Sequence, residues 1–161
     1  MTASIRPFTL DDSDRIAQLS LRSNQFNLRT IRYSKDEIVE MTKSPNYLTF
    51  SVRLNDKFGD YALVAIAIIK IMENNESFLD TFLMSCRVLK RGLEDLLMNK
   101  IIELLSQNSV KILIGEYLPT LKNNLVKDFL SDHQFVFDQK KNQNVLQIDN
   151  YKKIENHIYE S

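Results

Sequence analysis

One cysteine stands in the 161 residues, Cys86, inside the run Met84-Ser85-Cys86-Arg87-Val88-Leu89-Lys90-Arg91-Gly92-Leu93. A thiolate is a strong nucleophile and a good leaving group, so a thiol among three cations is a candidate nucleophile. Arg87, Lys90 and Arg91 also precede a stripe of apolar residues at helical spacing. The free amides of a helix start carry partial positive charge, and neighbouring cations strengthen their attraction for phosphate. Each feature has a plainer explanation beside it. Free cysteine is often a small buried hydrophobe, no histidine lies near it in sequence, and Lys90 and Arg91 can be solvated charges balancing Glu94 and Asp95.

Other residue types able to do chemistry are scattered. Glu116 and Tyr117 follow an apolar run, where a carboxylate or phenol can act as base or acid or can simply mark a strand end. Asn24, Gln25 and Asn27 carry amides that hydrogen-bond a polar ligand and equally build turns. Asp80 and Arg87 are charges in an otherwise apolar stretch, so each needs a partner or serves a site. Period two puts them on opposite faces of a strand, and they could pair only across elements. Thr120 reads as a helix cap, and His133 as a cation complementing the end of that helix.

The elements that must position these groups follow from periodicity. A strand over residues 4–8 leads to a helix carrying Ile16, Leu19 and Leu21, and Ser34-Lys35-Asp36-Glu37 fits a capping box that starts a second helix ended by Pro45. Apolar and β-branched runs over 47–54 and 61–71 flank the turn-like 55–60 and form a hairpin. Residues 78–89 read as a long central strand, 92–107 as a helix, 110–118 as a strand, and 120–130 as a further helix. A closing hairpin pairs 135–138 with 145–149, and 151–161 is expected to fray. This order predicts a mixed α/β domain over residues 1–150 with one central sheet and a C-terminal tail.

Composition narrows the classes. Twenty-one basic and twenty-one acidic residues give zero formal charge, so no global field steers the chain to nucleic acid or an anionic membrane. The longest apolar run, 61–69, is too short to span a bilayer. A single cysteine forms no intrachain disulfide, which suits a reducing cytoplasm, and no metal site is expected. Three glycines and three prolines leave no flexible linker.

The spacing Arg87, Lys90, Gly92 resembles the pyrophosphate-binding loop of the GNAT acyltransferases: Gln or Arg, two residues, Gly, one residue, then Gly or Ala. Lysine stands here in place of the first glycine. Four segments carry a closer resemblance: DRIAQLSLRSNQFNLRTIRYS at 14–34, DKFGDYALV at 56–64, DTFLMSCRVLKRGLE at 80–94 and GEYLPTLKNNLVKDFL at 115–130. They are similar to the GNAT-like C-terminal half of the FkbH-like proteins, which supply extender units such as methoxymalonyl to polyketide synthases. No Asp-x-Asp-x-Thr motif precedes Ile5, so the expectation is the transferase half alone, with a HAD-type phosphatase as a separate chain.

What the resemblance implies is specific. The fold would be GNAT-like, a central mixed, mostly antiparallel sheet of about seven strands flanked by about four helices. Two strands would splay near Glu116 and Tyr117 to admit a pantetheine arm. Coenzyme A, or the phosphopantetheine of an acyl carrier protein, would meet Arg87, Val88, Lys90, Arg91, Gly92 and Asn123. Cys86 would take the acyl group with Glu116 as base, and Asn24, Gln25, Asn27 and Tyr117 would contact a glyceryl or other hydroxyacyl chain. Leu130 and Gln134 stand where that family has tyrosine and glycine, which removes its general acid. The implied activity is acyl transfer between a thioester and a carrier-protein pantetheine. The alternatives are a catalytically degenerate module that binds carrier protein or coenzyme A, and an acetyl-CoA-dependent amine N-acetyltransferase.

Overall fold

Alternation along the first strand, β1 (Thr2–Arg6), sends Ala3 and Ile5 into the core of the computed structural model, which describes residues 1–55, 62–89 and 92–161. Helix α1 (Ser13–Arg22) buries Ile16, Ala17 and Leu19 at helical spacing. Helix α2 (Lys35–Lys43) starts at the expected box: Ser34 Oγ accepts from Glu37 N–H at 3.2 Å, and Glu37 Oε1 accepts from Ser34 N–H at 3.1 Å. Strands β2 (Tyr47–Asn55), β3 (Ala62–Ile71) and β4 (Glu76–Met84) then form an antiparallel meander. The turn residues Asp56, Lys57, Phe58, Gly59 and Asp60 lie outside the described residues, as do Lys90 and Arg91.

Helix α3 (Leu93–Gln107) crosses to β5 (Ile112–Gly115), which pairs parallel with β4. The short α4 (Phe129–Asp132) precedes the hairpin of β6 (Val136–Asp138) and β7 (Gln143–Gln147), and β8 (Tyr159–Glu160) closes the chain. The described strands form one sheet in the order β6-β7-β5-β4-β3-β2-β1-β8, antiparallel except at β4–β5 and β1–β8. Strand β3 is apolar on both faces. Its Ile66 and Ile68 pack with α1 and α2, whereas Ala65, Ala67 and Ile69 pack with α3 and α4.

Three sequence expectations change. The central strand ends at Met84, not 89, because Ser85 Oγ accepts from Arg87 N–H at 3.4 Å and Ser85 O from Val88 N–H at 3.2 Å, folding Cys86–Val88 into a 3-10 turn. The helix expected over 120–130 shrinks to a 3-10 turn at Asn124–Val126 and α4. Asn123 Oδ1 accepts from Thr120 N–H at 2.7 Å and Thr120 Oγ1 from Asn123 N–H at 3.1 Å, so local side chains outcompete helical bonds. Residues 151–161 do not fray. Asn99 donates to Ile154 O at 2.8 Å and accepts from Ile154 N–H at 3.0 Å, Ile158 is buried, and β8 adds an eighth strand beside β1.

Candidate functional site

Because β4 stops at Met84, Cys86 leaves the sheet and reaches the surface; it is exposed. The reading of it as a buried hydrophobe is therefore overturned. It lines a groove of about 490 Å³ between the turn and α1, floored by Leu19, Phe26 and Met84. Four cations line the same groove: Arg15 and Arg22 from α1, Arg87 beside the thiol, and Lys122. No carboxylate belongs to its described lining. Such a surface suits an anion, and a thiol among these charges is placed to meet one.

The segment after α1 closes the other approach to this region. Leu28 N–H donates to Phe82 O at 3.3 Å, Met84 N–H to Phe26 O at 3.0 Å, and Leu118 N–H to Leu28 O at 2.9 Å. Residues 26–28 thus lie as a short strand between the diverging ends of β4 and β5, with Asn27 bridged to Leu83. Phe26 packs there on Phe82 and Phe129, with ring centroids 6.1 and 5.8 Å away. The open slot implied for a pantetheine arm is filled by the protein's own backbone. The backbone donors of Met84 and Leu118 are used within the fold.

Arg29 latches this segment. Its Nη1 donates to Asp80 O at 3.0 Å and lies 3.4 Å from Asp80 Oδ1, its Nε donates to Glu116 Oε1 at 2.9 Å, and its guanidinium stacks 4.8 Å over the Phe78 ring. Asp80 also accepts from Tyr33 O–H at 2.5 Å and Thr81 Oγ1–H at 2.8 Å. Burial, and then the Asp80 carboxylate, raise the Tyr33 phenol well above the ordinary tyrosine range. Asp80 therefore finds its partner in Arg29 and not in Arg87. Glu116, assigned as a base, has its carboxylate committed to Arg29 and does not line the groove with Cys86.

The other candidates divide. Asn24 and Gln25 line the groove with Cys86 and Arg87, although Asn24 Oδ1 also accepts from Arg32. Asn27 is buried and builds the loop, donating to Ser23 O at 3.1 Å and accepting from Thr30 N–H at 2.9 Å. Asn123, expected to touch the cofactor, is fully buried; its Nδ2 donates to Asn27 O and Leu118 O, both at 3.0 Å, which leaves no donor for a ligand. Tyr117 turns inward, its hydroxyl 3.4 Å from Asn123 Oδ1. Val88 is buried and its N–H is used by Ser85. Gly92 adopts φ +82° ahead of α3, a conformation that favours glycine. His133 is buried against Phe129, with Nδ1 2.8 Å from Phe129 O and Nε2 2.8 Å from Asp95 Oδ1.

Sequence reasoning passed over Arg15, Arg22 and Arg29. The first two stand seven residues apart, a spacing that shares a helical face, and that was the available signal. Nothing in the sequence pairs Arg29 with residues 51 and 87 positions away.

No family model and no curated protein matches the sequence. Solved structures do match. The ribosomal-protein-S18-alanine N-acetyltransferase from Escherichia coli superposes with a TM-score of 0.65 at 16% identity, over 89% of this chain and 90% of that one. The PaiA N-acetyltransferase from Thermoplasma acidophilum, in complex with coenzyme A, gives 0.67 at 12% identity over 90% and 97%. The GNAT domain of PAT from S. lividans gives 0.69 at 14% identity over 89% of each chain. At these identities the likeness is one of architecture, and the architecture is that of the GNAT acetyltransferases.

Proposed function

We propose that this protein is an acyltransferase in which Cys86 accepts a short acyl group from a thioester and passes it on. The observation that carries the reading is the exposed Cys86 thiol in one groove with Arg15, Arg22, Arg87 and Lys122, on a fold shared with acetyltransferases. Those cations fit the phosphates of coenzyme A or of a carrier-protein phosphopantetheine. The filled opening between β4 and β5 does not fit an arm threaded through the sheet, so the ligand would lie along the groove on the α1 side.

When bound, the thioester supplies an activated carbonyl. Cys86 gives its proton to water as its sulfur adds to that carbon to form a tetrahedral intermediate; the old C–S bond then breaks, and the donor leaves as a thiolate that takes up a proton from water. The cations of the groove stabilise negative charge developing on the oxygen. A second thiol, from a carrier protein, reverses the step and regenerates the Cys86 thiol. A glyceryl or hydroxyacyl group is the finer assignment, with Asn24 and Gln25 as its hydrogen-bonding partners. Acyl carrier protein is the proposed partner and a separate HAD-type phosphatase the proposed source of the dephosphorylated acyl group, both resting on the four similar segments.

Mass spectrometry after incubation with acetyl-CoA and with a glyceryl pantetheine thioester tests this. The expected result is one acyl mass on the tryptic peptide holding Cys86, lost in Cys86→Ala and discharged by carrier protein. Absence of any adduct from either donor overturns it. A second reading, a module that binds carrier protein or coenzyme A without turnover, is favoured by the filled strand opening and by the commitment of Glu116 to Arg29. It predicts binding that survives Cys86→Ala. Transfer to an amine that survives the same substitution would instead assign an N-acetyltransferase.

A further inference from the structure

Phe26 stands between two cavities. On one side lies the Cys86 groove of about 490 Å³, on the other a smaller space of about 170 Å³, and Phe26 lines both. Among the described residues, Leu125, Val126 and Phe129 give the smaller space apolar walls, and Glu94, Asp132 and His133 give it polar ones. The groove has an apolar floor of its own in Leu19 and Met84, beside the thiol. A chain attached to Cys86 that runs along this floor toward the smaller space therefore meets the Phe26 ring.

That ring is held in place. Phe26 is buried, stands edge-on to Phe129 with centroids 5.8 Å apart, and lies 6.1 Å from Phe82. Its carbonyl accepts from Met84 N–H at 3.0 Å, and two residues on, Leu28 N–H donates to Phe82 O at 3.3 Å while Leu28 O accepts from Leu118 N–H at 2.9 Å. The backbone that carries the ring is tied to β4 on one side and to the segment after β5 on the other. Close packing against two aromatic neighbours then makes Phe26 a fixed wall and not a swinging gate.

We infer that Phe26 sets the length of the acyl chain that Cys86 accepts, ending the groove for a short chain and closing off a cavity that a longer aliphatic chain would fill. The inference rests on the acyl transfer proposed above and makes Phe26 a specificity determinant that takes no part in the chemistry.

The test competes acetyl-CoA with hexanoyl-CoA at equal concentration and reads the acyl masses on the peptide holding Cys86. The parent should carry acetyl over hexanoyl by at least about tenfold, and Phe26→Ala should raise the hexanoyl share by at least about tenfold, since each methylene moved from water into the opened cavity favours the longer chain by about fourfold. Phe26→Leu, which keeps more of the packing, should raise it less and carries the test if the alanine variant is unfolded. Leu125 is 50% exposed and tolerates bulk, so adding Leu125→Trp to either variant should fill the cavity and return the ratio toward that of the parent. An unchanged ratio in a folded Phe26 variant overturns the inference, as does a parent that takes hexanoyl as readily as acetyl.

Chemical loading separates this outcome from failure of the acyl-transfer reading. Hexyl methanethiosulfonate joins a six-carbon chain to the Cys86 sulfur as a disulfide and expels methanesulfinate, with no catalysis required. Amide NMR of that adduct should show shifts reaching Leu125 and Phe129 in the Phe26 variant and confined to groove residues in the parent. If neither donor acylates Cys86, the transfer reading falls and this measurement alone decides whether Phe26 is the wall. Identical shifts in parent and variant overturn it.

Discussion

Arg29 and Asp80 are joined twice, through the Asp80 carbonyl at 3.0 Å and its carboxylate at 3.4 Å, with the two side chains only 17% and 16% exposed. This contact holds the loop after α1 against β4, and with it the strand-like segment that fills the opening between β4 and β5. Removing one member of a largely buried pair leaves the other charge uncompensated. Arg29→Ala should therefore lower stability by about 3 kcal/mol, read as a shift in urea midpoint. Glu116 is 46% exposed, so Glu116→Gln should cost less than about 1 kcal/mol. Equal effects of the two variants would show that Asp80 is not the principal anchor.

Asn123 makes its bonds entirely within the fold, to Asn27, Leu118, Thr120 and, more weakly, Tyr117. Asn123→Ala strands buried carbonyls and an amide, and a loss of about 2–3 kcal/mol is expected in denaturant unfolding. Affinity for coenzyme A, measured calorimetrically under conditions where the variant is folded, should stay as in the parent. A selective loss of affinity would restore Asn123 as a ligand contact.

Cys86 is the single thiol and is exposed. The folded protein should titrate one equivalent of a disulfide reagent at a rate within about tenfold of that in denaturant. Pyrophosphate, drawn to the cations around it, should slow the folded reaction and leave the unfolded one unchanged. Cys86→Ser should melt within about 1 °C of the parent, since the side chain packs against little. A thiol that reacts only on unfolding would contradict its placement in the groove.

Glu94 predicts a pH signature. Its carboxyl titrates above the ordinary value when folded, so the folded state binds more protons than the unfolded one between those two values. Stability contributed by this group therefore falls as pH rises through that window. Above that window the charged carboxylate is a cost, and Glu94→Gln should melt at a higher temperature than the parent. The advantage should vanish below the ordinary carboxylate range, where both proteins carry a neutral group. An advantage independent of pH would exclude desolvation as its cause.

Local chemistry made much of the scaffold legible. The Ser34–Glu37 box, the unbroken apolar run of β3 and the stripe of α3 are properties of contiguous residues, and the structure has them within a residue or two. Where short polar side chains offered the backbone another partner, contiguity misled. Ser85 ends β4 early and Thr120 with Asn123 unwinds an expected helix, because periodicity carries no record of which hydrogen bond wins. The docking of residues 151–161 was equally hidden, since it depends on Asn99, more than fifty positions upstream.

The candidate site divides along the same line. Sequence alone determined that a single thiol stands beside cations ahead of a helix, because those residues are neighbours in the chain. Only the tertiary structure decided that Arg15, Arg22 and Lys122 join that thiol, that Arg29 takes both Asp80 and Glu116, and that residues 26–28 fill the gap between two strands. These are long-range pairings. They arise from which surfaces meet when the sheet and helices close around one core, and no spacing along the chain encodes the distance between them.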